Sequence, residues 1–372
     1  MSVKILNAHQ VTVYKDLSRY TCQVGAVQLD NGEVVVVYNE ARGMEHLDFD
    51  SILLVRSRDG GETWDPATRT LVWPCTHHLG SDTPSITQLR DGTLLVNFVI
   101  TAFVRRKGIL ADWGPQSENL DAMREVDGVG VTRSRDRGRT WEPAYKASVS
   151  PLRYGQPIDG IVELPNGTLL MAVLGQRRAR TYHEDEEPWR CALLRSDNGG
   201  LDWEHWSTIA FDAAGIISFD EPALGRTADG TLVCMMRTEH QPRSRHQNLW
   251  MCYSTNDGES WSRPEPTGIW GYPADLTLLQ DGRILCTYGY RRPPWGVRAC
   301  ISNDGLHWDP SNEFVVREGG IAPPQAGVRG PWHIGYPSSI QLKDGSIFTV
   351  DHQWTQEPPY VQFVAGVLYE IE

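Results

Sequence analysis

The chain has no long hydrophobic run. None of its 372 residues falls in a window apolar enough to span a bilayer, and the opening MSVKILNAHQVTVYKDLSRY lacks the apolar core of a secretion signal. Basic residues are the minority: 35 Lys and Arg stand against 47 Asp and Glu, a net charge of −12, which argues against nucleic acid or an anionic membrane surface as partner. Cysteine is scarce and unpatterned. The seven cysteines are an odd number with no CxxC pair, so neither a disulfide framework nor a zinc site is indicated, and several lie inside strand-like runs as buried free thiols would. These absences together describe a cytoplasmic protein; a chain from which a secretion signal had been removed would look the same. Helical periodicity is nearly missing too, with SENLDAMREV (117–126) the one helix-friendly stretch.

What the chain has instead is repetition. SRDGGETW (57–64) returns as SRDRGRTW (134–141), SDNGGLDW (196–203), STNDGESW (254–261) and, one residue shorter, SNDGLHW (302–308). The constant skeleton has a mechanism. An Asx side chain hydrogen-bonds backbone two residues on, Gly takes a left-handed φ without steric cost, and Trp anchors the turn to the apolar layer behind it.

A second repeat alternates with the first: QLDNGEVVVVY, QLRDGTLLVNF, ELPNGTLLMAV, RTADGTLVCMM, LLQDGRILCTY and QLKDGSIFTVD, each an apolar run entering and leaving an Asp-Gly or Asn-Gly hairpin. The glycines of these six hairpins, 32, 92, 167, 230, 282 and 345, are 52 to 75 residues apart. Four strands recurring six times predict an all-β fold, a six-bladed β-propeller of four-stranded antiparallel blades, occupying residues 1–372 as one domain. The last blade is one strand short. HQVTVYK (9–15) alternates like a strand and is expected to complete it, closing the ring.

If the hairpins and Trp turns share one face, the inner-strand entries and the long loops after each second strand share the other. Sites are usually built on such loops. The entries SDTPSI, YGQPIDGI, FDEPAL, GYPADL and GYPSSI pass through Xaa-Pro, which enforces an extended entry and aims the preceding side chain at the axis. The residues so aimed are Thr83 with Asp82 behind it, Gln156, Glu221, Tyr272 and Tyr336.

With these residues in view the chain resembles the sialidase (neuraminidase) superfamily of glycoside hydrolases, whose Asp box is the Ser-x-Asp-x-Gly-x-Thr-Trp turn. The resemblance implies roles. Asn-Glu-Ala-Arg (39–42) is similar to the family's Glu-x-Arg, which marks Glu40 and Arg42, and the acidic loop after it carries the family's acid/base aspartate, matched by Asp48 and then by Asp50. Glu221 and Arg237 are placed like the family's glutamate and second clamp arginine, Arg291 or Arg292 like the third, and Tyr336 like the nucleophilic tyrosine. One position departs. Alignment on Gly32 puts Cys22 where the family has its first arginine, and Arg19 is the nearest substitute.

The chemistry of the set is coherent. Where the anomeric carbon bears a carboxylate, a carboxylate nucleophile is repelled and a neutral tyrosine paired with a glutamate attacks better. Arginines grip a carboxylate bidentately, and an aspartate in a partly dehydrated pocket keeps its proton for the leaving group. The expectation is an exo-acting glycosidase for a terminal acidic sugar, with Tyr336 and Glu221 as nucleophile pair and Asp48 as acid/base, Asp82 being a second candidate acid, and with no metal or cofactor. Two alternatives stay open: a uronate lyase or hydrolase using tyrosine with His46, His78 or His352, and a propeller that binds carbohydrate without chemistry.

Plainer readings stand beside these. Tyr336 and Tyr272 both sit between Gly and Pro and could be blade-entry packing residues, and Arg237 could do no more than neutralise Glu221 or Glu239. His77-His78 has no third ligand at metal spacing, and HEDEEP (183–188) reads as a solvated acidic face. Trp295, Trp332 and Trp354 fall on the site face, where they could stack sugars.

Overall fold

A computed structural model describes residues 3–41, 50–76, 79–105, 122–177, 188–240, 248–327 and 333–372. Six antiparallel sheets form the ring of a β-propeller. From the inside outward, blade 1 runs Tyr20–Gln28, Val34–Ala41, Ser51–Ser57 and Thr70–Trp73, and blades 2 to 5 repeat that order. Blade 6 takes Gly335–Gln341, Ile347–Trp354 and Gln362–Ile371, and its outermost strand is the N-terminal Ile5–Tyr14, registered with Val11 opposite Gly366 and Thr12 opposite Ala365. The ring is closed by that pairing, as expected.

The helix-friendly stretch is a correction. Ala122–Ser134 is the third strand of blade 2, paired with Leu94–Arg105, so residues 122–126 are extended; sheet pairing overrides local helix preference there. No helix among the described residues is long and apolar enough to cross a membrane.

The core lies between blades. Val24, Val36 and Tyr38 of blade 1 pack on Phe348, Val350 and Leu368 of blade 6, and like clusters fill the other five seams. All seven cysteines are free thiols and six are buried.

Both repeats pin the same face. In each hairpin the glycine N–H donates to the carbonyl three residues before it, as from Gly32 to Leu29 O at 2.9 Å, with Gly32 at φ 90°; that position is apolar in every blade but blade 4, where it is Thr227. The residue before that apolar position reaches the neighbouring blade. Gln28 Oε1 accepts from Lys343 N–H (2.9 Å), Gln88 Oε1 from Asp30 N–H (2.8 Å) and Glu163 Oε2 from Arg90 N–H (2.8 Å), so such latches cross the seams between blades 6 and 1, 1 and 2, and 2 and 3. In the Asp boxes Ser57 Oγ accepts from Gly61 N–H (2.9 Å), Asp59 from Thr63 N–H (2.9 Å), and the Trp64 indole donates to Gly61 O (2.8 Å) while its ring packs on Phe348.

Candidate active site

The inner strands enter through one recurring kink. The ladder slips between Cys22 and Val24 in blade 1, Asp82 and Ser85 in blade 2, Asp220 and Ala223 in blade 4, and Gly335 and Ser338 in blade 6. The residue freed by each bulge is left-handed: Gln23 at φ 45°, Thr83 at 44°, Glu221 at 41° and Tyr336 at 53°. Such angles are rare outside glycine, and a bulge is the device that re-aims a side chain. Blade 5 arrives otherwise, with Tyr272 N–H donating to Gly289 O (2.9 Å).

Blade 3 slips too, between Arg153 and Gln156, but the residue its bulge frees is Tyr154, at φ 57°, and not the expected Gln156. Gln156 stays in the ladder opposite Leu174, and the strand breaks after Pro157, where Ile158 and Asp159 line the axial channel. The break is held by blade 2, because the Thr87 hydroxyl donates to Ile161 O (3.2 Å) and accepts from Ile161 N–H (3.0 Å).

Two residues 115 apart in sequence meet at the axis. The Tyr336 hydroxyl donates to Glu221 Oε1 at 2.7 Å, and Arg237 Nη1 donates to the same oxygen at 3.0 Å. Arg237 Nη2 donates to Glu239 Oε1 at 2.6 Å; Glu239 follows by two in the same strand and so shares its face. The Arg237 guanidinium lies 4.2 Å over the Tyr272 ring, and that of Arg291 lies 4.9 Å from Tyr272 and 5.1 Å from Tyr336. The contacts close into a loop: Glu221, Tyr336, Arg291, Tyr272, Arg237. Glu221 Oε2, Arg237 Nε and Arg291 Nη2 are buried without a hydrogen-bond partner among the described residues.

Burial, and then the charge of Glu221, pushes the Tyr336 hydroxyl well above the usual tyrosine range, with Arg291 and Arg237 acting against them. The phenol therefore keeps its proton at neutral pH, and the Glu221 carboxylate is the acceptor in contact with it. Asp220, which accepts from Glu221 N–H at 3.2 Å, is pushed up to about 7 by desolvation and by Glu221 and Glu239, with Arg237 opposing. Nothing in the local sequence marked Asp220 or Asp159 as special. The alternation Arg-Thr-Glu was the available signal for Glu239.

The other expected residues within the described ranges have partners outside this loop of contacts. Arg292 is exposed, donates to the Tyr290 hydroxyl (2.7 Å) and sits 4.2 Å over Trp270, turned to the rim by those rings. Glu40 is paired with Arg69 at 2.7 Å, which also donates to the Tyr14 hydroxyl, so an ion pair inside the blade engages it. Arg19 ends the turn after the N-terminal strand, its N–H donating to Asp16 O and its charge lying near the Asp16 carboxyl. Asp82 accepts from Thr83 N–H at 3.0 Å. Asp50 is buried at the start of its strand, its carbonyl accepting from the Ser81 N–H (3.0 Å) and hydroxyl (2.9 Å). Asp48, Arg42, His46, His78 and Trp332 lie outside the described residues. Cys22 is fully buried with Tyr20, Ala41, Ile334 and Trp354, an apolar cluster where the family has a cation.

His352 is also fully buried, its ring stacked 5.4 Å from His333 and 6.1 Å from Tyr336. Its Nδ1 lies 3.1 Å from the Gln23 N–H. A backbone N–H can only donate, so Nδ1 is the acceptor. Burial, with His333, Arg291 and Arg317 nearby, pulls the imidazole well below the usual histidine range, so the ring is neutral and its one proton is on Nε2.

The fold and this axial cluster define a six-bladed propeller of the Asp-box type. The chain belongs to the BNR repeat-like domain family, which matches residues 83–349. In structure it is similar to a protein of unknown function from Dyadobacter fermentans, at 25% identity and TM-score 0.81, with all of both chains covered. It is similar to the Hadza microbial sialidase Hz136 at 14% identity and TM-score 0.65, covering 95% of this chain and 65% of that one. It is also similar to the α-L-arabinanase of Penicillium chrysogenum, solved with arabinobiose, at 14% identity and TM-score 0.62, covering 98% of each. No curated protein matches the chain in sequence.

Proposed function

We propose that this propeller is an exo-acting glycoside hydrolase in which Tyr336 attacks the anomeric carbon of a terminal sugar. The observation that carries the reading is the 2.7 Å hydrogen bond from the Tyr336 hydroxyl to Glu221 Oε1, made on the axis and flanked by Arg237 and Arg291. As the phenolic oxygen bonds to the anomeric carbon, its proton passes to Glu221, and the bond to the leaving oxygen breaks with a proton supplied by an aspartic acid. Asp48 and Asp50 are the candidates for that acid. The resulting carboxylate then takes a proton from water as the water displaces tyrosine, and Glu221 returns the phenolic proton, so configuration is retained.

The two guanidiniums beside a neutral nucleophile support a sugar that carries a carboxylate, the case in which tyrosine has an advantage over a carboxylate. The relatives act on sialic acid and arabinose linkages by their names, and both sugars belong in the test. The lyase alternative is weaker on the histidine: with Nδ1 accepting from Gln23 and Nε2 protonated, His352 has no lone pair to take a proton from a sugar ring. Aryl glycosides of acidic and neutral sugars test the reading directly. Wild type should release the fluorophore from at least one, with no absorbance from an unsaturated uronate; release that survives unchanged in Tyr336→Phe would sink it.

A further inference from the structure

The blades repeat in register, and the register picks out one more residue. In blade 4 the second-strand residue opposite the one before the bulge is Arg237, across from Asp220. The same position in blade 6 is His352, across from Gly335, and in blade 1 it is Asn39, across from Cys22. Blade 4 uses that position to meet the axial glutamate. His352 therefore occupies, beside Tyr336, the place that Arg237 occupies beside Glu221.

Its surroundings differ in charge. Arg317, a cation near His352, forms a buried ion pair with Asp351 and donates to Gly319 O (2.7 Å), so it is committed. Asn39 donates to Gln23 Oε1 at 3.0 Å, and that oxygen also accepts from Thr83 N–H at 3.1 Å. The rest of the sector is the apolar cluster of Cys22, Tyr20, Ile334 and Trp354. In this setting His352 Nε2–H is a buried donor with no partner among the described residues. A buried donor left unpaired is costly, and a ligand acceptor would relieve that cost. The nearby cation with an N–H unpaired among the described residues, Arg291, stacks over Tyr336 and Tyr272 and would hold a carboxylate on that side of the tyrosine, whereas at His352 itself a neutral ring offers one donor, which suits an uncharged oxygen.

Building on the glycosidase reading, we propose that the sector between blades 6 and 1 is a specificity subsite in which His352 Nε2–H binds an uncharged oxygen of the sugar, a hydroxyl or an amide carbonyl. Any carboxylate of the substrate then belongs on the blade 4 and blade 5 side of Tyr336, with Arg237 and Arg291.

The test uses Tyr336→Phe protein, so that sugars bind without turnover. N-acetylneuraminic acid, glucuronic acid and arabinobiose are ranked by saturation-transfer NMR, and the tightest is titrated by calorimetry. Adding His352→Leu should weaken it about tenfold or more, the loss of one buried hydrogen bond, while His352→Gln, which keeps a donor at nearly the same point, should stay within about threefold. The salt dependence of binding should be the same with and without the Leu change, since a neutral contact is not screened. Binding unchanged in His352→Leu, a loss that vanishes at high salt, or no binding by any of the three sugars overturns the assignment. In case His352→Leu folds poorly, ¹⁵N-histidine labelling of the wild type gives a second measurement: His352 should hold the Nε2–H form from about pH 5 to pH 8, and an imidazolium titrating in that window overturns it. A wild type that turns over no glycoside, alongside the expected His352 series, would remove the hydrolase reading and leave the subsite.

Discussion

The two faces of the ring treat aspartate in opposite ways. On the turn face Asp136 accepts from the Ser134 and Thr140 hydroxyls and the Arg139 and Thr140 N–H groups, and is held down to about 2. Along the axis Asp159 accepts from Gly160 and Leu224 N–H groups yet is pushed up to about 6 by desolvation, and Asp275, with Ser339 N–H and two threonine hydroxyls as donors, is also pushed well above the usual carboxylate range, by desolvation and by Asp159. The number of hydrogen bonds does not separate the two groups: Asp344 in a hairpin turn accepts only two, from the Ser346 N–H and hydroxyl, and is held low, while Asp275 has three and is raised. Water does. Carboxylates that turn a hairpin remain solvated and are held ionised by their donors, whereas those on the axis lose solvent and are raised by each other. The turn face is scaffold, and the axis is where proton chemistry near neutral pH is possible.

The largest effect expected from this division is on turnover. Glu221→Gln keeps the shape of the side chain but cannot take the Tyr336 proton, so kcat on an aryl glycoside should fall by roughly 10²–10⁴-fold with the melting temperature nearly unchanged. An activity loss matched by unfolding would erase the separation between axis and scaffold. Next comes Asp220. Its folded pKa, about 7, lies above the unfolded value, so the native state binds the extra proton and stability falls as pH rises from about 4 through 7. Asp220→Asn removes that term, and the variant should gain on wild type by on the order of 2 kcal/mol between pH 5 and pH 8, read from urea midpoints at each pH. A gap independent of pH would mean that Asp220 titrates normally.

How far the sequence could anticipate this follows from the range of the interactions. The Asp boxes and hairpins were legible because Ser57, Asp59, Gly61 and Trp64 satisfy one another within eight residues. Ring closure by Ile5–Tyr14 was legible because blade 6 visibly lacked a strand. The pairing of Tyr336 with Glu221 was reachable through the resemblance together with blade geometry, while Gln156 misled because Xaa-Pro marks an entry but not the residue that leaves the ladder. Arg292 and Glu40 were assigned through the resemblance alone, and partners close by, Tyr290 with Trp270 and Arg69, engage them. Asp159, Asp220 and the neutral state of His352 depend on desolvation by other blades, which no local motif records.

The smallest effect tests the other side of the division. Asp136→Ala removes an acceptor from two hydroxyls and two N–H groups, but the turn is partly exposed and water can replace some of what is lost. The cost should be about 1–2 kcal/mol in a urea titration, without change in kcat or KM. The folded pKa of Asp136 is depressed, so its contribution is complete above the unfolded value near pH 4 and is lost as pH falls toward about 2. Wild type and Asp136→Ala should therefore converge in stability at strongly acid pH, the mirror of Asp220→Asn. If Asp136→Ala instead altered KM, the turns would be transmitting strain across a blade to the bulges at Glu221 and Tyr336, and the two faces would have to be treated as one mechanical unit.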